Sequence, residues 1–166
     1  EDREKNLWVG TQVGLNQFRE GPITSYTTLA GLKQPITLGT LEDKNGTIWV
    51  GTFGGGLHQL RDGRFETLAD PAGKVSSRVM SLHEARDGAL WVGTWGGGVN
   101  RIMGETIDSF TAKDGLAHNK VRSLIETHDG AMWFGTKRGV SRYLNGEFTT
   151  YGPEQGMPLE DVYSLT

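Results

Sequence analysis

Four tryptophans recur along the chain at nearly constant intervals. Trp8, Trp49, Trp91 and Trp133 stand 41, 42 and 42 residues apart, and each is followed at fixed offsets by glycine and threonine: Gly10 and Thr11, Gly51 and Thr52, Gly93 and Thr94, Gly135 and Thr136. A glutamate precedes each tryptophan by seven residues, at Glu1, Glu42, Glu84 and Glu126. A fixed period of this length is the mark of a repeat architecture, in which one small unit buries its apolar face only by stacking on its neighbours.

The unit reads as four short strands. In the last complete repeat, VRSLIET (121–127) is rich in strand formers. The turn HDG follows, then AMWFGT, the turn KRG, VSRYL, the turn NG and finally EFTTY. Asp-Gly and Asn-Gly supply the positive φ that tight hairpins need. The 25 glycines and β-branched residues interrupt every window in which a helical period would have to run. A four-stranded unit at this period predicts an all-β chain, a β-propeller of four-stranded antiparallel blades, with residues 1–166 as one domain. The tryptophans are expected to be structural and largely buried between blades, where a large ring covers much apolar surface. The glycines are expected to allow a tight turn and close approach of neighbouring backbone.

The two ends belong to one repeat. The chain stops at DVYSLT (161–166), which matches the first strand of a blade, and starts with the turn and second strand. Joined, they read VYSLTEDREKNLWVGT with a period of 41, from 166 − 133 + 8. The N- and C-terminal strands are therefore expected to complete one blade, with 161–166 beside 6–11, which would leave no unpaired sheet edge. Three closures are open: a head-to-tail homodimer forming an eight-bladed ring, which we favour, a closed four-bladed monomer, or a piece of a larger ring.

Composition narrows the function. The chain is 36% hydrophobic and 22% charged, as in a globular domain. A net charge of −3 without a basic block argues against nucleic acid or anionic membrane as a partner. No apolar run approaches the roughly 20 residues of a membrane-spanning helix, and the acidic, polar start does not read as a signal peptide. There is no cysteine, so disulfides, thiolate metal sites and cysteine nucleophiles are excluded. His58, His83, His118 and His128 share no ligand spacing, and no metal or cofactor is expected. A glutamate repeated in every unit is expected to satisfy backbone donors rather than to catalyse glycoside cleavage, because a catalyst is normally unique.

EDKNGTIWVGTFGGGLHQL and EARDGALWVGTWGGGVNRI resemble the two-component regulator propeller repeat, and the resemblance covers essentially the whole chain in four copies. It implies the periplasmic or extracellular sensor part of a bacterial hybrid histidine kinase or related regulator. It also implies a non-enzymatic propeller that binds a ligand, often a carbohydrate breakdown product, or sets the geometry of a sensor dimer. Such sensors usually carry more repeats. A chain of four looks like a fragment, an engineered half-ring or a small stand-alone relative. A propeller enzyme of lyase or glycosidase type is the alternative, and a structural or engineered fragment without ligand is the third reading.

The connections between second and third strands differ where the strands agree. They hold Gln12, Phe53, Trp95, and Lys137 with Arg138, and they are expected to share a face with links containing Arg78, His118, Asn119 and Lys120. Variable polar and aromatic groups on a rigid scaffold are where binding sites form. Phe53 and Trp95 are the candidates to stack on a sugar ring. Lys137, Arg138 and His118 are the candidates to contact its hydroxyl or carboxylate groups.

Overall fold

The computed structural model describes residues 1–19, 21, 23–157 and 161–166. Fifteen strands fall into four antiparallel sheets, three of four strands and one of three. The first sheet contains β1 (Leu7–Thr11), β2 (Gly14–Phe18) and β3 (Thr24–Tyr26). The second runs β4 (Thr37–Glu42), β5 (Ile48–Thr52), β6 (Gly56–Arg61) and β7 (Arg64–Thr67). The third runs β8 (Val79–Glu84), β9 (Leu90–Thr94), β10 (Val99–Met103) and β11 (Thr106–Phe110). The fourth runs β12 (Val121–Glu126), β13 (Met132–Thr136), β14 (Gly139–Leu144) and β15 (Glu147–Tyr151). Strands neighbour one another in chain order within each sheet, which is the meander of a propeller blade.

The repeated Trp-x-Gly-Thr phrase has a local explanation. The threonine hydroxyl donates to the carbonyl at the start of the third strand, Thr52 to Gly56 at 3.0 Å, Thr94 to Gly98 at 2.8 Å and Thr136 to Gly139 at 2.9 Å. The same oxygen accepts a backbone N–H within the turn, from Gly55, Gly97 and Arg138, each at 3.1 Å. The glycine of the phrase serves the next blade. A Cβ on Gly51 would run into Val79, and one on Gly93 would press on Val121. Both valines lie on the first strands of the following blades, so any larger side chain would push the blades apart.

Apolar burial concentrates at the blade junctions, as expected when each unit is too thin to hold a core alone. Leu15, Leu32, Ile48, Val50 and Phe65 join the first two blades. Leu57, Val79, Leu90, Val92, Ile102 and Ile107 join the second and third. Trp91, Val99, Leu116, Val121, Met132 and Phe134 belong to the cluster joining the third and fourth.

The glutamates latch these junctions, and they do so between blades. The Glu42 carboxylate accepts the Arg3 backbone N–H at 2.7 Å, Glu84 that of Lys44 at 2.6 Å, and Glu126 that of Arg86 at 3.0 Å. Each reaches back to the first hairpin turn of the preceding blade.

Two expectations need correction. Only Trp91 is fully buried, at 2% exposure; Trp8, Trp49 and Trp133 are half-buried. Three of the indoles donate to a residue six positions earlier: Trp8 to Asp2 at 2.6 Å, Trp49 to Asp43 at 2.9 Å and Trp133 to Thr127 at 3.1 Å. The third repeat has Ala85 there, and Trp91 instead packs against Phe110, Phe134 and Tyr143. The other correction concerns the ends. Among the described residues β1 pairs only with β2, and 161–166 forms no strand, so the two termini do not complete a blade within the single chain.

The tail is nonetheless placed as a first strand. Val162 N–H donates to Thr136 C=O at 2.9 Å, and Val162 lies over Gly135 as Val79 lies over Gly51 and Val121 over Gly93. The tail thus occupies the inner-strand position beside the fourth blade, without a second strand to pair with.

Candidate functional site

The loops after the second strands and the links between blades meet on one face, held by backbone hydrogen bonds. Gly54 and Gly56 N–H groups donate to Ser77 C=O at 2.8 and 2.9 Å. Gly96 and Gly98 donate to Asn119 C=O, both at 2.9 Å. Isolated bridges, Phe53 to Arg78 and Trp95 to Lys120, carry the pairing outward past the strand ends. The side chains on this face are therefore presented by pinned backbone.

Trp95 stands at the centre of a group of cations. The Lys120 ammonium lies 4.5 Å from its ring centroid and the Arg122 guanidinium carbon also 4.5 Å. Arg122 also contacts Tyr163, its guanidinium carbon 4.3 Å from that ring centroid. Its Nη2 donates to Asp161 Oδ2 at 2.9 Å. Arg122 Nε and Asp161 Oδ1 are buried without a hydrogen-bond partner among the described residues.

His118 accepts the Lys120 backbone N–H at its Nδ1, 2.9 Å away. Partial burial lowers its pKa below the ordinary histidine value, and Arg138, Lys120 and Lys137 lower it further, while Asp161 opposes them. The imidazole therefore reports a locally positive field in a chain whose net charge is −3.

Of the five residues expected to bind ligand, Trp95 and His118 are linked through Lys120, and Lys137 and Arg138 lie close enough to His118 to lower its pKa. Phe53 sits one blade away, 37% exposed, with the Arg78 guanidinium 5.8 Å from its ring centroid. It is a weaker version of the Trp95 pair rather than part of it.

Arg122, Tyr163 and Asp161 escaped the sequence reading. Arg122 lies in a bulge. The first strands of the three complete blades each skip one residue in their pairing, at Leu38, Met80 and Arg122. A bulge re-aims its side chain and is common beside functional sites. Tyr163 holds the corresponding place in the tail. The available signal was a departure from the repeat: two apolar residues and a tyrosine share the position with one arginine.

The opposite face carries grooves between turns. One of about 430 Å³ is bounded by Arg86, Trp91, Arg101, Glu126, Tyr143 and Asn145, among others. A smaller one lies two junctions earlier, beside Asp2, Trp8 and Glu42. Their walls are the repeated tryptophan, turn and latch positions, so the scaffold itself makes them.

Meander sheets stacked through apolar junctions, with pinned loops gathered on one face, define a β-propeller. Three stretches of the chain, residues 31–54, 73–96 and 115–138, match the family model described as the two component regulator propeller. The fold is similar to the extracellular domain of the hybrid two component system BT3049 from B. thetaiotaomicron, with a TM-score of 0.86 and 24% identity over 97% of this chain. It is also similar to that of BT4673 from the same organism, at a TM-score of 0.79 and 19% identity over 95% of this chain. Virginiamycin B lyase from Staphylococcus aureus aligns at a TM-score of 0.67 and 20% identity over 91% of this chain. The chain spans 23% and 25% of the two extracellular domains and 53% of the lyase. No curated protein is significantly similar to it in sequence. Among the described residues, no helix is long and apolar enough to cross a membrane.

Proposed function

We propose that the chain is a non-enzymatic recognition propeller, part of the periplasmic or extracellular portion of a two-component regulator, which binds a small carbohydrate-like ligand on its loop face. The observation that carries this reading is Trp95, an aromatic surface held on pinned backbone and ringed by donors of hydrogen bonds. Aromatic rings with a few fixed polar groups are what sugar-sized ligands require. The propeller-lyase alternative needs a unique acid–base pair. Three of the four recurring glutamates, Glu42, Glu84 and Glu126, are already engaged as junction latches, and Asp161 is engaged by Arg122. Titration with an oligosaccharide array should quench Trp95 fluorescence, and Trp95→Ala should abolish binding while leaving the far-ultraviolet spectrum unchanged. Binding that survives the substitution would move the site elsewhere.

Its partner is a second copy of the chain. The tail of one copy supplies the missing inner strand of the other's first blade, in the register of the complete blades: Val162 opposite Thr11, Ser164 opposite Gly10, Leu165 opposite Val9. This follows Val121 opposite Thr136, Ser123 opposite Gly135 and Leu124 opposite Phe134. Glu1 would then latch the partner's turn, as Glu126 latches Arg86. Since the chain has no cysteine, the pairing is directly testable with Thr11→Cys and Val162→Cys in one chain. Oxidation should yield a doubly linked dimer of about twice the 18.2 kDa mass. An internally linked monomer would mean a four-bladed ring, and no linkage would mean that the ends await other repeats.

A further inference from the structure

We propose that Arg122, in contact with Trp95 and Tyr163, is a carboxylate subsite, so that the ligand of this face is an acidic sugar, and that Asp161 holds the place of the ligand's carboxylate. The inference rests on the recognition reading above and names the ligand class of the same site.

Three independent features lead to it. The first is charge. Lys120, Arg122, Lys137 and Arg138 face one region with Asp161 as their nearby carboxylate, in a chain that is acidic as a whole. A neutral sugar would gain nothing from such an excess, whereas an anion is drawn into it.

The second is geometry. The Arg122 guanidinium carbon lies 4.5 Å from the Trp95 ring centroid and 4.3 Å from that of Tyr163, and two aromatic contacts together restrict the direction of its N–H fork. A guanidinium presents two parallel N–H groups to a carboxylate, and the paired form is the strong one. Asp161 meets it through Nη2 alone. Nε is left buried and unpartnered, and so is the second oxygen of Asp161. A half-used fork with an idle donor suits an interaction made to be exchanged. An incoming carboxylate can engage Nε and an Nη together, while Asp161 turns toward solvent or toward Lys120.

The third is position. The bulge aims this residue differently from the ladder residues around it, and the equivalent places hold Leu38 and Met80. The scaffold therefore does not need a cation there. Trp95 beside the fork places an aromatic ring within reach of the same ligand.

Trigalacturonate and its neutral counterpart galactotriose, together with citrate, separate the components by calorimetry. Trigalacturonate should bind at least about tenfold more tightly than galactotriose, the scale of a charge-assisted pair. Citrate, which lacks the sugar ring, should bind more weakly than trigalacturonate. Arg122→Met installs the residue that the second complete blade already carries, and should erase the preference for the acidic sugar. Asp161→Asn should tighten trigalacturonate binding several-fold by removing the competing carboxylate; if Asp161 served only to fix the tail, the same variant would weaken it. Trigalacturonate should also raise the His118 pKa, read from its imidazole proton shifts, because an added anion offsets the surrounding cations.

Equal binding of the acidic and neutral sugars, lost in Trp95→Ala, would keep the recognition reading and overturn the carboxylate subsite. Citrate binding as tightly as trigalacturonate would replace the acidic sugar with a simple organic acid. Failure of all three probes to bind at millimolar concentration would overturn the inference outright.

Discussion

Leu7 and Val9 in β1 hold the same repeat positions as Met132 and Phe134 in β13, yet they are 53% and 36% exposed while their counterparts are 3% and 0% exposed. The local sequence is nearly the same: a hydrophobic residue, the tryptophan, another hydrophobic residue, glycine and threonine. The surroundings differ. Met132 and Phe134 press on the third blade, on Trp91 and Val99. Among the described residues, no blade stands against Leu7 and Val9. In this architecture a residue is buried by the neighbouring repeat, and the apolar face of a single blade is complete only when something stands against it.

Removing equivalent side chains at the two places should show the contrast most plainly. Phe134→Ala should destabilise the chain by about 3–5 kcal/mol, the cost of emptying a filled aromatic site. Val9→Ala should cost about 0.5 kcal/mol or less, as at an open surface. Denaturant unfolding at low protein concentration measures both. If the chain assembles as proposed, the Val9 variant should become the more costly of the two in dimerisation.

The glutamate latches sharpen the same comparison at smaller scale. Glu126→Ala removes an acceptor from the Arg86 N–H across an existing junction and should cost about 1–2 kcal/mol, in the range for a charged hydrogen bond. Glu1→Ala removes the corresponding group where no junction exists in the single chain, and should leave its stability unchanged. Equal effects would show that the latch acts within its own blade.

The smallest effect concerns pH. His58 is fully buried, and its Nε2 accepts the Lys33 backbone N–H at 3.2 Å. Burial lowers its pKa below 6.5, and nearby Lys33 adds to the shift. The folded state therefore binds the proton less readily than the unfolded chain. Stability is full above pH 6.5 and declines as the pH falls below it toward the folded-state value. His58→Asn, which copies Asn100 at the same repeat position, should remove that decline. A thermal midpoint that falls between pH 7 and pH 5.5 to the same degree in both proteins would assign the acid sensitivity elsewhere.

The period made the blades legible in the sequence. It also placed the second-to-third-strand loops and the inter-blade links on one face, and so located Trp95, His118, Lys137 and Arg138 together. Three features were not legible, each because it depends on another repeat. Trp91 is buried by two rings of the next blade, Phe134 and Tyr143, where Trp49 meets an aliphatic cluster that includes Val92 and Ile102. The glutamates cross to the preceding turn, some forty residues away, which no local pattern reveals. Arg122 looks like an ordinary alternating strand residue until the bulge turns it toward Trp95. Comparing the repeats column by column isolates it, because it is the single cation in its column.

If copies of the chain join as proposed, the exposed face of β1 and the docked tail make it a bifunctional monomer in the polymer chemist's sense. A contact that joins unlike ends has no built-in limit of two. It stops where the accumulated turn brings the last end to the first, and otherwise continues as a filament. Ring formation converts the final joining step into an intramolecular one, governed by effective concentration rather than by bulk concentration. Dilution should therefore favour the smallest ring that closes without strain, and high concentration should favour longer arrays. The curvature set by each inter-blade junction, through the size of the side chains packed there, decides how many copies that smallest ring contains.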